Sequence, residues 1–339
     1  MSAQGAVVIE AKGLRKSFRT RKRRKTTTVE AVVGIDLHVA AGEIFGFLGP
    51  NGAGKTTTLR MFATLLPPDD GEARIAGADL RTEPEAVRRS IGYIAQGGGT
   101  WNEATAREEL VFQARIHGIG KSQAQARAAT AVDAFDLADY ADRNCKTYSG
   151  GQRRRVDIAL GVVHDPRVVF LDEPTVGLDP HSRVHMWQAV RRLRADGMTV
   201  FLTTHYLDEA DALCDRIAII DHGEIVAEGT PAELKREVSG DVITVDFAEG
   251  EDTGAQDGAT VAETARKAVE ILVAEPYLRS AEAREGGGVR LTVDTGKAAI
   301  PRILRTLENA GLEPATLELH RPTLDDVFLA KTGRSLHED

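Results

Sequence analysis

Long apolar runs are missing from this 339-residue sequence: no stretch approaches the roughly 20 consecutive apolar residues of a membrane-spanning helix. The chain is therefore not expected to cross a bilayer alone. Cysteine is nearly absent, and Cys145 and Cys214 have neither the number nor the spacing of a zinc site or a redox pair. They read as core or surface thiols. The opening MSAQGAVVIEAKGL lacks a basic segment followed by a long apolar one, so it does not read as a secretory leader, and a cytoplasmic location is expected. An excess of positive charge is lacking too. With 43 Lys and Arg against 51 Asp and Glu, the net charge of -8 argues against broad nucleic-acid binding, which needs a basic surface.

The composition that remains, 42% hydrophobic and 28% charged, is that of a folded chain rather than a disordered one. At this length, two domains are the natural expectation. Charge is unevenly spread. Arg19, Arg21, Lys22, Arg23, Arg24 and Lys25 form a basic run, and Asp246, Glu249, Glu251, Asp252 and Asp257 an acidic one. Each is read first as a solvated loop; the basic run is alternatively a second nucleotide contact or a touch on anionic lipid.

From Val7 to about Ala227, strand-like runs alternate with amphipathic helical patterns, the mark of an α/β domain with a largely parallel sheet. Glu43 to Leu48 reads as a strand, followed by a glycine-rich turn and a helix from Lys55 to Leu66 that Pro67 and Pro68 end. Val168 to Leu171 and Thr199 to Thr203 are further buried strands, followed by Asp172 with Glu173 and by His205. Ligands of open α/β sheets bind outside the carboxyl ends of the strands, so glycines, carboxylates and an imidazole converge on one edge. The region from Asn102 to Asn144, including the alanine-rich Gln123 to Ala134, reads as helical. After Val238 the order becomes strand Val242–Phe247, helix Val261–Ala274, strands Arg279–Ala283 and Val289–Val293, helix Ala298–Ala310, and strand Ala315–Leu319. This β-α-β-β-α-β order suggests a ferredoxin-like α+β domain, closed by a helix from Leu324 to Lys331.

GPNGAGKTT, Gly49 to Thr57, matches G-x-x-x-x-G-K-[ST] between a strand and a helix, the context that separates a phosphate loop from a glycine turn with a chance lysine. Gly49, Gly52 and Gly54 let backbone N–H groups close on phosphates; Lys55 supplies a point charge and Thr56 a hydroxyl for Mg²⁺. Pro50, Asn51, Ala53 and Thr57 complete the loop. In VVFLDEP, Asp172 is placed to hold Mg²⁺ and Glu173 to orient an attacking water as general base; an isolated acidic pair would equally be a polar loop.

With YSGGQRRR, Tyr148 to Arg155, the chain resembles the nucleotide-binding subunits of ABC transporters. The resemblance implies a P-loop NTPase fold with a mainly parallel sheet and a helical signature subdomain at about 102–160. It further implies two subunits closing on two ATP molecules, with Ser149, Gly150, Gly151 and Gln152 of one covering the γ-phosphate held by the other. Tyr148 departs from the family's commoner leucine, a change expected to alter packing more than phosphate contact. Gln96 in IGYIAQ resembles the glutamine linking Mg²⁺ and the attacking water to the membrane subunit, Asp179 in GLDP the dimer-contact loop, and His205 the switch histidine that senses the γ-phosphate. Phe18 stands where the family stacks an aromatic on adenine, a core phenylalanine being the alternative. GGGTWNE, Gly97 to Glu103, departs from the common sequence in a region that faces the membrane partner, so Trp101 is a coupling contact or a locally packed aromatic.

The ending RPTLDDVFLAKTG, Arg321 to Gly333, narrows the resemblance to the daunorubicin-resistance type of drug-export ATPase. That likeness implies a homodimer, a separately encoded transmembrane permease, and a site on the inner face of the membrane, with no specific nucleic acid. An ATP-binding domain over 7–238, an accessory domain over 239–333, and tails 1–6 and 334–339 are expected. Two other functions compete with export of a drug, antibiotic or lipid-like substrate. A soluble ABC ATPase acting on ribosomes or nucleic acid usually carries twin cassettes, a coiled-coil insertion or zinc cysteines; the energy subunit of a nutrient importer would share the ATP chemistry.

Overall fold

Two long strands, β1 (Val7–Lys22) and β2 (Lys25–Ala40), open the chain and pair antiparallel. The connection between them is too short for the crossover that parallel strands need. The computed structural model describes residues 6–22, 25–238, 240–247, 257–284 and 288–334. Arg23 and Arg24 of the basic run, Glu249, Glu251 and Asp252 of the acidic one, and most of both predicted tails lie outside the described residues.

The wholly buried β3 (Ile44–Leu48) leads into α1 (Lys55–Phe62). This helix stops a turn before the predicted Leu66, because Thr64 takes a left-handed φ of 60° that cannot continue it, ahead of either proline. Then follow β4 (Asp70–Ile75), β5 (Ala78–Asp79), α2 (Pro84–Ser90) and β6 (Ile91–Ile94). The helical region contains α3 (Ala106–Ile116), α4 (Lys121–Ala134) and α5 (Gly150–Val162). After it come β7 (Val168–Asp172), α6 (Pro180–Ala195), β8 (Thr199–Thr204), α7 (Leu207–Leu213), β9 (Arg216–Asp221) and β10 (Glu224–Gly229).

The largely parallel arrangement predicted across this region holds for only part of it. Strands β2-β1-β4-β5 form a separate antiparallel sheet, while β10-β9-β3-β8-β7-β6 form a six-stranded sheet that is parallel from β9 to β6. Strand β10 turns back antiparallel on β9 through His222 and Gly223, both at positive φ, as a two-residue hairpin requires.

Phe201 of β8 holds the parallel sheet to its covering helix. Its ring meets Phe45 at 5.6 Å, Phe62 at 5.7 Å and Phe170 at 5.8 Å, so β3, α1 and β7 lock around it. Truncating such a fully buried aromatic typically costs about 3–5 kcal/mol. The same elements carry the phosphate loop, the acidic pair and His205 at their ends.

The chain divides into two compact units, one ending at Pro231 and one running from Ala232. After α8 (Pro231–Val238), the second unit contains β11 (Asp241–Phe247), α9 (Asp257–Leu272), β12 (Leu278–Ala283), β13 (Gly288–Val293), α10 (Gly296–Asn309), β14 (Pro314–His320) and α11 (Leu324–Thr332). Its sheet order β12-β13-β11-β14, antiparallel throughout, is the split β-α-β arrangement expected. Ile243, Val245, Val289 and Leu291 of the sheet share a core with Ala268, Leu272, Ile303 and Leu307 of the helices. Among the described residues no helix is long and apolar enough to cross a membrane.

Candidate nucleotide site

The C-terminal ends of β3, β7 and β8 lie side by side in parallel register, which brings three sequence segments to one edge. The loop 49–54 leaves β3 and closes on α1, and two of its glycines are required by their neighbours. A Cβ on Gly49 would strike the carbonyl oxygen of Ile220 in β9. Gly54 caps the helix at φ 106° and would strike the carbonyl of Ala31. Lys55 is 4% exposed, and its ammonium donates to the carbonyls of Gly49 (2.7 Å) and Pro50 (3.1 Å). Burial pushes that ammonium below its ordinary pKa, and the carboxylate of Glu173 at 3.3 Å opposes the shift.

Glu173, 7% exposed, is the meeting point. Its Oε1 lies 3.3 Å from both Lys55 Nζ and His205 Nδ1, and its Oε2 accepts from Gln96 Nε2 at 2.8 Å. The residue sits at a left-handed φ of 46°, which turns its side chain out of the line of β7. Asp172 stays within the strand, and its Oδ1 accepts from Thr56 Oγ1 at 3.0 Å and from Thr203 Oγ1 at 2.8 Å. A cavity of about 180 Å³ opens at this edge, lined by loop residues 50–52 and 54–57 together with Ala31, Gln96 and Glu173.

Two supporting residues escaped the sequence reading. Thr203, which donates to Asp172, also receives the N–H of Glu173 on its hydroxyl at 3.1 Å, so one side chain orients both acids. Arg154, 7% exposed, donates to the carbonyls of Ala95 (2.6 Å), Pro174 (2.9 Å), Asp172 (3.0 Å) and Glu173 (3.4 Å). It thereby ties α5 to the segment bearing Gln96 and to the acidic turn. The signal was present as the run Arg153 to Arg155, but a run of three does not reveal which member turns inward.

The other predicted residues are not brought to this cavity within one chain. Ser149 starts α5 in a capping box: its hydroxyl accepts from Gln152 N at 3.2 Å and the Gln152 side chain accepts from Ser149 N at 3.0 Å. The first turn of α5, with Gly150 and Gly151, is packed so that a Cβ on Gly151 would lie 2.6 Å from Ser182 Oγ. Asp179 caps α6 by accepting from Ser182 N at 2.9 Å. Phe18 is 40% exposed with the Lys16 ammonium 5.9 Å from its ring, so it is not a core phenylalanine. Tyr148 packs edge-on against Tyr140 with its hydroxyl among the carbonyls of Tyr140 and Arg143. Burial raises its phenol to about 12. Trp101 is exposed and rests against Phe112 at 5.6 Å. Cys145 and Cys214 are both buried free thiols.

A phosphate loop, a hydrogen-bonded acidic pair and a glutamine and histidine meeting the same carboxylate define a P-loop ATPase. Residues 32–176 match the family model "ABC transporter", and residues 229–332 match "ATP-binding protein DrrA1-3-like, C-terminal domain". The chain is 43% identical to the daunorubicin/doxorubicin resistance ATP-binding protein DrrA of Streptomyces peucetius, over 98% of its own length and 94% of that protein. It is 32% identical to the linearmycin resistance ATP-binding protein LnrL of Bacillus subtilis, covering 98% of this chain and all of that one. It is also 35% identical to Nod factor export ATP-binding protein I of Paraburkholderia xenovorans, covering 94% and 97%. Among solved structures, the dimeric post-hydrolysis ATP-binding cassette MJ0796 with ADP and Pi aligns with a TM-score of 0.59 and 25% identity, over 66% of this chain and 98% of that one. The chain therefore belongs to the ATP-binding proteins of ABC transporters, of the DrrA daunorubicin/doxorubicin-resistance type.

Proposed function

We propose that two copies of this chain close on two ATP molecules and drive export of a drug, antibiotic or lipid-like substrate through a separately encoded permease, from the inner face of the membrane. The observation that carries the reading is the placement of Glu173: its carboxylate touches the phosphate-loop lysine, Gln96 and His205 at once. In the proposed cycle Lys55 and the backbone N–H groups of loop residues 51–57 hold the phosphates, and Phe18 stacks on adenine. Glu173 takes the proton of the attacking water while Gln96 and His205 hold that carboxylate and the γ-phosphate in line.

The oxygen-only set of the Thr56 hydroxyl and Asp172 carboxylate, already 3.0 Å apart, fits a hard cation such as Mg²⁺, with Gln96 beside it. Bound there, the ion would neutralise phosphate charge. Ser149 to Gln152 and Asp179 stand away from their own chain's cavity, which supports their use on the nucleotide of a partner subunit. Relatives named for drug resistance and for Nod factor export support export over import. We assign ATP hydrolysis to 7–238 and an accessory role to 239–333.

The test is steady-state hydrolysis by Glu173→Gln beside the parent. Turnover is expected to fall by about 10²–10⁴ with ATP binding retained, because the amide keeps the shape and loses the base. Near-normal turnover would remove Glu173 from the role.

A further inference from the structure

Helix α6 carries two histidines that the nucleotide chemistry does not use. His181 and His185 are four residues apart, which places them on one face one turn apart. Both are exposed, and their Nε2 atoms approach each other: the two nitrogens are 3.2 Å apart, with ring centroids at 4.4 Å and planes crossing at 72°. In the free chain this spacing suits an N–H···N bond between neutral rings of opposite tautomer. It also suits two corners of a coordination sphere. Bonds of about 2.0–2.1 Å meeting at a near-tetrahedral angle put the two nitrogens about 3.3–3.4 Å apart, so a metal ion would need almost no change in their separation, only a tilt of the exposed rings.

We propose that His181 and His185 form a chelating site for a late first-row dication of the Zn²⁺, Ni²⁺ or Cu²⁺ class, separate from the nucleotide site. Imidazole nitrogen selects these ions over Mg²⁺, which prefers the oxygen set of Thr56 and Asp172. The surroundings set its strength. His185 borders a cavity of about 220 Å³ that also holds Asp136, Arg155, Gln188 and Arg192. The two guanidinium charges weaken the site and the Asp136 carboxylate offsets part of that. Arg183, between the histidines in sequence, is turned away into a 3.0 Å ion pair with Asp208 and a stack on Tyr206.

Among the described residues no cluster of three or more His, Cys, Asp or Glu side chains is placed to hold a metal. Water therefore fills the remaining positions, and the ion exchanges readily rather than being a fixed part of the fold. A bound ion clamps the first turns of α6, next to the Asp179 cap and the Ser182 hydroxyl that meets it. Occupancy thus stiffens the loop that the family uses at its dimer contact.

The experiment is calorimetric titration of ZnCl₂ into the full untagged chain in excess MgCl₂, for the parent, His181→Gln, His185→Gln and the control His117→Gln. Glutamine preserves length and helix propensity, and circular dichroism of each variant confirms that it is folded. The parent is expected to take up one ion per chain. Each α6 variant should bind about tenfold or more weakly, about 1.4 kcal/mol or more, while the control matches the parent. Zn²⁺ should also raise the melting temperature of the parent but not of the α6 variants. Absence of saturable binding by the parent, or equal binding by the parent and both folded α6 variants, would overturn the proposal.

Discussion

Replacing Arg154 by methionine removes the guanidinium while keeping most of its apolar stem, and the structure allows its effect to be worked through. Three of its hydrogen bonds, to Ala95, Pro174 and Asp172, lie at 2.6–3.0 Å, with a longer one to Glu173 at 3.4 Å. Bonds from a charged donor contribute about 1.5–3 kcal/mol each, and the carbonyls left behind at Asp172, Glu173 and Pro174 are buried. Against this stands the cost of burying the charge, which pulls the pKa of Arg154 down despite nearby Asp157, Asp172 and Glu209. The balance is a loss of about 3 kcal/mol of stability. Both tryptophans, Trp101 and Trp187, lie in the first unit, so fluorescence during urea unfolding reports on the unit that contains Arg154.

Catalysis should suffer separately. Arg154 grips the backbone of both the Gln96 segment and the acidic turn, and a displacement of about 1 Å at reacting groups costs about 10²-fold. Turnover at saturating ATP is therefore expected to fall about 10²-fold under conditions where the variant remains folded. Arg154→Lys should recover little, since one ammonium cannot reach carbonyls on two segments as a planar fork does. Unchanged unfolding together with turnover within threefold of the parent would refute this reasoning.

Thr203→Val keeps the shape of a buried strand residue but removes the hydroxyl shared by Asp172 and the Glu173 amide; stability should drop by about 1–3 kcal/mol and turnover by about tenfold, and parental values for both would show that the acids orient themselves. Gly49→Ala should displace the phosphate loop through its clash with the Ile220 carbonyl, seen as loss of ATP binding by equilibrium dialysis; retained affinity would contradict the packing argument. Burial, with His117 stacked at 3.6 Å, lowers the His164 imidazole from 6.5 to about 4. A depressed folded-state value means that its contribution is complete above 6.5 and is lost progressively as the pH falls to about 4. Melting curves of His164→Asn should accordingly be flatter across that window, and slopes identical to the parent would exclude this histidine.

The candidate nucleotide site could be outlined from the sequence because its residues lie in contiguous strings. Gly49 to Thr57, Asp172 with Glu173, and His205 each sit at a strand end that a short apolar run announces, and parallel pairing of adjacent strands then brings the ends together. The ferredoxin-like order of the second unit was legible for the same reason, since its strands and helices alternate with clear turn signals. The separate antiparallel sheet was not, because a period-two pattern marks a strand without naming its partner.

Local sequence also set the caps of α5 and α6, where Ser149 and Asp179 lie within three residues of the N–H groups they satisfy. Long-range contacts decided the rest. Arg154 turns inward because carbonyls from two separate segments converge on it there, Thr203 serves two acids because β8 lies beside β7, and Gly49 must lack a side chain because β9 passes against it. Each depends on a partner dozens of residues away, and a linear string encodes neighbours along the chain but not the distances that folding creates between segments.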